Sequence, residues 1–332
     1  MKRLQVEGGF GLDHLKLVEM PDPEPGHGEV RIRMTAASLN YRDLATIQYG
    51  GHRLPLVPLS DGCGVIEATG PGVTRVKAGD RVITQFFQGW PAGEPTAEGL
   101  ATALGGSLDG CLTEKMVLSQ EGVTLAPAGL SDNEAACLPC AGLTAWRGLQ
   151  DGGLKAGDTV VVQGTGGVSI FALQFAKAAG ATVIATSSSD EKLQRAKALG
   201  ADHLINYKTT PDWAKAVRKM TDGKGADNVI EVGGAGTFVQ SLNAIRVGGH
   251  VAVIGILAGV SQDVPVPLIF SKNARVGGIS VGSREMTEAM CRAIEANGIK
   301  PVVDKVMPFT EARAALELMK SQAHFGKIVL TF

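Results

Sequence analysis

The fold is decided by a stretch near the middle of the chain, Val160-Val-Val-Gln-Gly-Thr-Gly-Gly-Val-Ser169. Its apolar start predicts a buried strand, its glycines predict a tight turn, and the residues from Val168 onward predict a helix. A helix begins with unpaired N–H groups and a partial positive charge, so this arrangement suits a pyrophosphate. The spacing matches the dinucleotide fingerprint G-x-G-x-x-G, with Ser169 in the third glycine position. The alternatives are a purely structural glycine turn or another ligand, such as S-adenosylmethionine.

Strands and helices alternate on both sides of this turn. This alternation predicts an α/β fold with a doubly wound parallel sheet of the Rossmann type and crossover helices on both faces. After the strand over 158–162, the predicted strands are Thr182–Thr186, His203–Asn206, Asp227–Glu231, His250–Ile254 and Arg275–Val281, and the predicted helices are Val168–Ala179, Asp190–Leu199, Trp213–Met220 and Phe238–Ile245.

The flanking parts of the chain have a different pattern. Residues 1 to about 130 are predicted to be rich in β-strands, because short apolar runs alternate with Gly, Pro and Asp turn signals. Residues 85–110 have no clear period and are predicted to form a surface excursion. The predicted strands are Glu29–Thr35, Gly64–Ala68 and Arg81–Thr84, followed at the C-terminus by helices Glu285–Ala296 and Thr310–Lys320 and by a strand, Lys327–Thr331, that returns to the first domain.

Composition excludes several classes of protein. The 332 residues include 32 basic and 33 acidic side chains, which argues against nucleic-acid binding through a broad basic surface. The longest apolar run, Val251–Val260, is about half the length that a membrane-spanning helix needs. Five cysteines do not resemble a disulfide framework. We therefore expect a soluble, cytoplasmic protein that acts on a small molecule, with no nucleic-acid or membrane partner.

The end of the second predicted strand indicates which dinucleotide binds. NAD sites normally have a carboxylate there for the ribose 2′-hydroxyl, whereas this chain has Ser187 and Ser188. Hydroxyl groups leave room for a 2′-phosphate, which Lys192 can neutralise and Tyr207 can hydrogen-bond. The pattern therefore predicts NADPH. A capping box of Ser188 with Glu191 is the structural alternative for the same residues, and both interpretations can hold together.

Several motifs together resemble the medium-chain dehydrogenase/reductase superfamily, which contains zinc alcohol dehydrogenases and zinc-free quinone and enoyl reductases. The resemblance implies a GroES-like β-barrel catalytic domain over 1–132, a Rossmann NADP-binding domain over 133–282, and a return to the catalytic domain over 283–332. The motifs are Pro25-Gly-His-Gly-Glu-Val30, Leu39-Asn-Tyr-Arg-Asp43, Ser60-Asp-Gly-Cys-Gly-Val65, Val76-Lys-Ala-Gly-Asp-Arg-Val82, Cys140-Ala-Gly-Leu-Thr-Ala145, Gly164–Val168 and Phe325-Gly-Lys327.

The ligands of a catalytic zinc are the main departure from this family. Zinc members use a Cys, the His of a Gly-His-Glu motif and a second Cys. This chain has Asn40 and Ser60 in the first two positions and Asp61 in place of the Glu, so only Cys140 remains. Neutral amide and hydroxyl groups are poor zinc ligands, and the cluster of cysteines for a structural zinc is also missing. We predict an enzyme without zinc.

The pair Cys137-Leu-Pro-Cys140 has the spacing of a zinc or redox motif. It lacks a second cysteine pair and the strand–helix context of a thioredoxin-like site. Two ordinary buried cysteines are the preferred interpretation.

The resemblance places Asn40 near the nicotinamide ribose and the substrate. Without a metal, the chemistry must depend on hydrogen-bond donors and on the geometry of hydride transfer. Candidate donors to a substrate oxygen are Tyr41, Arg42, Tyr49 and His52, all in one short segment. Each is alternatively an ordinary turn or interface residue.

The remaining cofactor residues follow from the resemblance and from the rule that Rossmann ligands bind at the carboxyl ends of strands. They lie in the glycine turn, after the later strands, in the helix between the domains, and near the C-terminus. They are Thr144, Gly164, Thr165, Gly166, Gly167, Val168, Gly233, Gly255, Ile256, Leu257, Val281, Gly282, Ser283, Gly326 and Lys327.

Three functions are consistent with the sequence. The first is an NADPH-dependent, zinc-independent reductase of quinones or of activated C=C bonds in enones and enals. The second is an NADP(H)-dependent alcohol dehydrogenase or carbonyl reductase without metal, and the third is a non-catalytic nucleotide-binding structural protein. The resemblance also implies a homodimer that pairs the edge strands near 275–281.

Overall fold

The computed structural model describes residues 1–50 and 53–332, which form two compact units. The first unit comprises Met1–Leu143 and Val281–Phe332, and the second comprises Thr144–Ser280. The predicted boundaries at 132/133 and 282/283 therefore both lie inside the first unit. One reason is that the turn over 138–142 is bonded to the first unit, since the Cys140 amide donates to Asp61 Oδ2 at 3.1 Å.

The strands and helices follow one another along the chain in three groups. The first part contains β1 (Lys2–Val6), β2 (Leu15–Glu19), β3 (Glu29–Ser38), α1 (Tyr41–Tyr49), β4 (Asp61–Thr69), β5 (Arg81–Thr84), α2 (Ala97–Leu100), β6 (Lys115–Ser119), β7 (Val123–Leu125) and α3 (Asp132–Ala135). The middle part contains α4 (Leu143–Asp151), β8 (Thr159–Gln163), α5 (Gly167–Ala178), β9 (Thr182–Ser187), α6 (Asp190–Ala198), β10 (His203–Asn206), α7 (Trp213–Met220), β11 (Ala226–Glu231), α8 (Phe238–Ala244), β12 (Ile245–Val253), α9 (Pro267–Phe270) and β13 (Arg275–Gly278). The chain ends with α10 (Arg284–Asn297), β14 (Val303–Pro308), α11 (Ala312–Ser321) and β15 (Lys327–Thr331).

The first unit is built on a seven-stranded sheet in the order β14-β15-β3-β4-β5-β7, with β6 also paired to β3. The C-terminal strand β15 runs antiparallel to β3, with Val329 opposite Ser38. The last strand of the chain is therefore part of the sheet of the first unit. The inward side chains of β3, such as Ile32 and Met34, pack with Leu316 of α11 in one buried core.

The second unit is built on a six-stranded parallel sheet in the order β10-β9-β8-β11-β12-β13. The chain order runs outward from β8 in one direction and from β11 in the other. The topological switch point therefore lies between these two strands, where Val162 pairs with Ile230. This arrangement confirms the predicted Rossmann-type sheet, and the carboxyl ends of all six strands lie along one edge. No helix in the described residues is long and apolar enough to cross a membrane.

Five strands were not predicted from the sequence: β1, β2, β6, β7 and β14. For β2 and β14 the reason is their position, because both strands are exposed or half-buried along their whole length and lack a buried apolar run. The excursion over 85–110 also contains more structure than predicted, because it includes α2 and a bridge between Phe87 and Ala103.

A buried histidine gives the second unit a pH dependence. His250 of β12 is only 4% exposed and lies opposite Asn228 of β11. Burial lowers the pKa of His250 below its ordinary value of 6.5, the charge of Arg275 lowers it further, and Asp151 opposes the shift. The unfolded chain therefore takes up this proton at a higher pH than the folded protein does. The stability that the neutral, buried His250 side chain contributes is therefore lost as the pH falls from 6.5 toward the pKa of His250 in the folded protein.

We expect the substitution His250→Gln to reduce the loss of thermal stability between about pH 7 and pH 5, because the variant has no imidazole to protonate. The measurement is the melting temperature of both proteins across this pH range. Parallel curves for the variant and the wild type would contradict the assignment.

Candidate functional site

The glycine turn after β8 has the geometry expected of a pyrophosphate site. Gly164 adopts a left-handed φ of 72°, and its amide donates to Thr186 O at 2.8 Å. Gly166 precedes the first residue of α5, whose opening amides have no partner within the helix. A Cβ atom built on Gly164 or Gly166 meets no other atom within 4 Å. The turn therefore has room for a bulky anion at a helix N-terminus, so these residues fit the pyrophosphate of a dinucleotide.

Ser169 accounts for the departure from the glycine fingerprint. Its side chain is 2% exposed, and its hydroxyl donates to Gln163 O at 2.5 Å. A small residue is needed at this position because α5 packs closely on β8. The hydroxyl adds a bond between the helix and the strand that a glycine cannot make.

The end of β9 brings together the residues predicted to recognise a 2′-phosphate. Ser187 is buried, and its main-chain oxygen accepts a hydrogen bond from the amide of Tyr207 at 3.1 Å. The residue that caps α6 is Ser189, whose hydroxyl accepts from the Lys192 amide at 3.3 Å. The suggested capping box of Ser188 with Glu191 is therefore wrong: Ser189 is the cap, and the residue three positions on is a lysine. Ser188 and Lys192 are half-buried, and Tyr207 is 42% exposed.

The loops after β11 and β12 follow the same edge of the sheet. Gly233 is buried, and its amide donates to Glu231 Oε1 at 2.8 Å. This amide is therefore already engaged and is not available to a ligand phosphate. Gly255 is half-buried, whereas Ile256 and Leu257 are 56% and 43% exposed.

The cofactor residues that were predicted where the chain re-enters the first unit are buried. Val281, Gly282 and Ser283 are all buried, and the Ser283 hydroxyl caps α10 by accepting from the Met286 amide at 3.3 Å. This hydroxyl is thus engaged in the fold. In the second unit, Thr144 is buried in α4. That these residues contact a cofactor stays a prediction.

Lys327 lies in a buried polar cluster of the first unit, together with its neighbour Gly326. Its side chain is 3% exposed, and its ammonium group donates to Leu39 O and Asn40 Oδ1, both at 2.6 Å. Asp61 Oδ2 lies 4.0 Å from the same nitrogen. The sequence analysis places this lysine against the cofactor. The structure instead gives it a place inside the protein, where it holds the Asn40 carboxamide.

Two buried carboxyl groups complete this cluster. Asp61 accepts hydrogen bonds from the Ser60 hydroxyl at 2.7 Å and from the Cys140 amide. Burial raises the pKa of the Asp61 carboxyl, and the charge of Lys327 opposes that shift. Asp43 accepts from the Asn40 amide at 2.7 Å, and burial raises the pKa of its carboxyl to about 6.

The donor set does not fit a catalytic zinc. Of the three positions at which the resemblance places ligands, Asn40 has its oxygen bonded to the Lys327 ammonium and Ser60 donates to Asp61. Burial raises the pKa of the Cys140 thiol, which favours its neutral form. A divalent cation would also lie close to the ammonium group, which costs Coulomb energy. Among residues 1–50 and 53–332, no three His, Cys, Asp or Glu side chains are grouped as metal ligands.

The candidate proton donors do not lie together. Tyr41 and Tyr49 are the first and last residues of α1, about 12 Å apart along the helix axis, and they are 44% and 83% exposed. Arg42 donates to Leu104 O at 2.8 Å and stacks on the Phe86 ring, so its guanidinium is engaged in holding the excursion over 85–110. His52 lies outside the described residues.

Cys137 and Cys140 are both free thiols, as are the other three cysteines of the described chain. Burial raises the pKa of Cys137 to about 11, so its thiol is neutral at physiological pH. This supports the interpretation of the C-x-x-C pair as ordinary cysteines.

The structural roles of three polar residues were not predicted from the sequence. Gln163 and Glu231 end two adjacent buried strands, and Asp61 begins another. All three are at least 95% buried, counting Gln163 at 5% exposed. For Gln163 and Glu231 the signal was a polar residue between an apolar run and glycines, whereas Asp61 was considered only as the replacement of the Glu in the zinc motif.

Comparison with protein families gives two matches. Residues 26–128 match the family described as alcohol dehydrogenase GroES-like domain, and residues 167–296 match the family described as zinc-binding dehydrogenase.

Individual proteins match over nearly the whole chain. The zinc-type alcohol dehydrogenase-like protein C1773.06c of Schizosaccharomyces pombe is 48% identical over 96% of both chains. The acryloyl-coenzyme A reductase of Sulfurisphaera tokodaii is 29% identical over 95% of this chain and 96% of its own. The crystal structure of an NAD-dependent alcohol dehydrogenase has a TM-score of 0.91 at 36% identity, covering all of both chains. The mycobacterial protein Rv1454c, solved in complex with NADPH, has a TM-score of 0.84 at 28% identity over all of this chain.

Proposed function

The chain belongs to the medium-chain dehydrogenase/reductase superfamily and is an NAD(P)-dependent oxidoreductase, and from this premise we propose that it is an NADPH-dependent reductase of quinones or activated C=C bonds. The substrates would be enones, enals or quinones. The enzyme would work without zinc, in the cytoplasm. The residues that the resemblance links to a metal would instead form a structural cluster.

The observation that carries this proposal is the bond from the Lys327 ammonium to Asn40 Oδ1 beside Asp61. An alcohol is difficult to oxidise without a metal or a tuned base, because its hydroxyl must lose a proton as hydride leaves. The electrophilic carbon of an enone or quinone accepts hydride without prior deprotonation. One relative is named an acryloyl-coenzyme A reductase, and an acryloyl group contains a C=C bond activated by a carbonyl.

The preference for NADPH rests on the end of β9. Ser187 and Ser188 provide hydroxyl groups where NAD sites have a carboxylate. Lys192 lies in the first turn of α6, and Tyr207 is bonded to the same strand end. A 2′-phosphate placed there would meet hydroxyl groups and a cation rather than a negative charge.

NADPH would supply the hydride to an electrophilic carbon of the substrate. The glycine turn from Gly164 to Val168 would hold the pyrophosphate at the N-terminus of α5. The buried cluster would fix Asn40, and Tyr41, Tyr49 and His52 are the candidates for donating the proton that completes the reduction. A hydroxyl or imidazole group positioned at the substrate oxygen would also stabilise its developing negative charge.

A metal-free NADP(H)-dependent alcohol dehydrogenase or carbonyl reductase is the second candidate. The observation that favours it is the structural similarity to the NAD-dependent alcohol dehydrogenase, which is 36% identical to this chain. The two candidates differ in the carbon that receives hydride: the β-carbon of an enone in the first, and the carbonyl carbon in the second. The non-catalytic alternative is set aside because the matched relatives and structures are alcohol dehydrogenases and reductases.

The proposal is tested with protein that has been treated with a chelator and contains no zinc by mass spectrometry. We expect oxidation of NADPH with a panel of enones, enals and quinones, at a rate that added zinc does not increase. Activity that appears only when zinc is restored would contradict the proposal.

We also propose a homodimer that pairs β13 of two copies. β13 is an edge strand of the parallel sheet, and exposed apolar side chains lie on it and before it, including Val276, Phe270 and Val266. An unpaired edge with apolar neighbours favours association. We expect a dimer at micromolar concentration by sedimentation, and a monomer after Val276→Lys. A monomeric wild-type protein would contradict the proposal.

A further inference from the structure

Glu231 is a fully buried acidic residue at the switch point of the parallel sheet, where the order of the strands reverses. It is the last residue of β11 and is 0% exposed. Its neighbour across the switch point is Gln163, the last residue of β8, whose Nε2 donates to Glu231 Oε2 at 2.8 Å. The carboxylate thus lies between the strand that leads to the glycine turn and the strand that leads to Gly233.

The two carboxylate oxygens of Glu231 have different partners. Oε1 accepts from the amides of Gly233 and Gly234 at 2.8 and 2.9 Å, and from the Thr237 hydroxyl at 2.5 Å. Oε2 accepts from Gln163 and from the Ser241 hydroxyl of α8. Oε1 therefore holds the loop after β11, and Oε2 holds the end of β8 and helix α8.

The main chain extends this arrangement to a third strand. The carbonyl oxygen of Glu231 accepts from the amides of Ile254 and Gly255 at 2.9 and 3.2 Å. The carbonyl oxygen of Gly233 accepts from the Ala258 amide. The loops that follow β8, β11 and β12 are thus joined through a single residue.

These donors to the Glu231 carboxylate are all neutral groups. A buried carboxylate is costly unless its oxygens are saturated with hydrogen bonds, so a leucine or methionine would fill this space more cheaply. The presence of an acidic side chain here is explained by the segments that its two oxygens hold together, namely the end of β8, the loop after β11 and helix α8. It also fills the amide cradle of Gly233 and Gly234, which would otherwise suit an anion, and leaves the glycine turn after β8 for the pyrophosphate.

We propose that Glu231, together with Gln163, is a positioning residue for the dinucleotide: it fixes the spacing between the pyrophosphate turn and the loops after β11 and β12. In Rossmann folds a dinucleotide binds at the switch point of the sheet, and here that point lies between β8 and β11, the strands that these two residues end. This inference rests on the proposed use of a nicotinamide dinucleotide.

The substitution Glu231→Gln tests this role with little change of shape. A carboxamide keeps one acceptor oxygen and gains an NH2 group, so this group faces the donors of either the loop after β11 or the end of β8, and the bridge to β8 survives only if the Gln163 carboxamide turns over. We expect its dissociation constant for NADPH to rise at least tenfold, measured by titration of the cofactor's fluorescence without substrate. In the free protein, we expect faster hydrogen exchange at the amides of residues 164–169 and 233–237.

Asp227→Asn is the matched control, because it neutralises a buried acid at the opposite end of the same strand. Asp227 is 4% exposed and accepts from the Thr159 amide at 2.8 Å and from Arg246. We expect this variant to lose thermal stability while its dissociation constant for NADPH stays within twofold of wild type. If Glu231→Gln does not fold, Gln163→Met tests the same link, since it removes the bridge from β8 and leaves the bonds from the loop to Glu231 Oε1 in place.

The outcomes separate the inference from the proposed function. A Glu231→Gln or Gln163→Met protein that binds NADPH within twofold of wild type overturns the inference and leaves the proposed function standing. Equal weakening by Asp227→Asn also overturns it, because the effect would then follow general stability. A wild-type protein that binds neither NADPH nor NADH overturns both.

Discussion

Replacement of Lys327 by Met is expected to lower the free energy of unfolding by about 3–5 kcal/mol, the usual cost of leaving a buried charge without its partner. The Lys327 side chain is 3% exposed and that of Asp61 is 0% exposed, so without the ammonium group the Asp61 carboxyl must either stay charged out of reach of water or take up a proton, and both cost stability at neutral pH. Asn40 would also lose the donor that holds its carboxamide oxygen. The measurement is equilibrium unfolding in urea at neutral pH, with the wild type alongside.

The double variant Asp61→Asn, Lys327→Met is the control for this first prediction. It removes both charges and leaves a neutral pair, so we expect it to recover a large part of the stability that the single variant loses. Losses that simply add would mean that the two side chains do not interact, and the buried ion pair would then be the wrong description of this cluster.

Substitution of Ser187 by Asp is expected to weaken NADPH binding about 100-fold, because a carboxylate beside the 2′-phosphate costs several kcal/mol. The same carboxylate can accept a hydrogen bond from the free ribose 2′-hydroxyl of NADH. We therefore expect NADH to bind more tightly to the variant than to the wild type. Fluorescence titration with both cofactors measures the two changes independently of any substrate.

Thr182→Asp is the control for the cofactor switch, since it adds the same charge at the other end of β9. It is expected to leave the ratio of the NADPH and NADH affinities unchanged. A Ser187→Asp protein that still prefers NADPH as strongly as the wild type would remove the support that β9 gives to the cofactor assignment.

The elements with local signals were predicted well. Arg81–Thr84, His203–Asn206 and Lys327–Thr331 have the predicted bounds, and a Gly or Asp lies directly before each of them in the sequence. The helix cap before α6 shows the limit of this approach. Three successive serines offer the same chemistry, and only the backbone geometry selects Ser189 as the cap.

The roles of residues whose partners are distant in the sequence could not be predicted. Lys327 follows a glycine, and a lysine in that context is normally a solvated residue or a phosphate ligand. Its partner Asn40 is separated from it by 287 positions, so nothing local indicates that the two side chains meet. Glu231 is similar, because its bond to Gln163 spans 68 positions and depends on the strand order at the switch point.

The most direct test of the central claim follows the transferred hydrogen. Metal-stripped protein would be incubated with an α,β-unsaturated ketone and NADPH deuterated at nicotinamide C4, in separate reactions for the two C4 positions, and the products analysed by NMR. We predict a saturated ketone with deuterium at the β-carbon from one of the two labelled cofactors. An allylic alcohol with deuterium at the carbinol carbon would contradict the account and identify a carbonyl reductase instead.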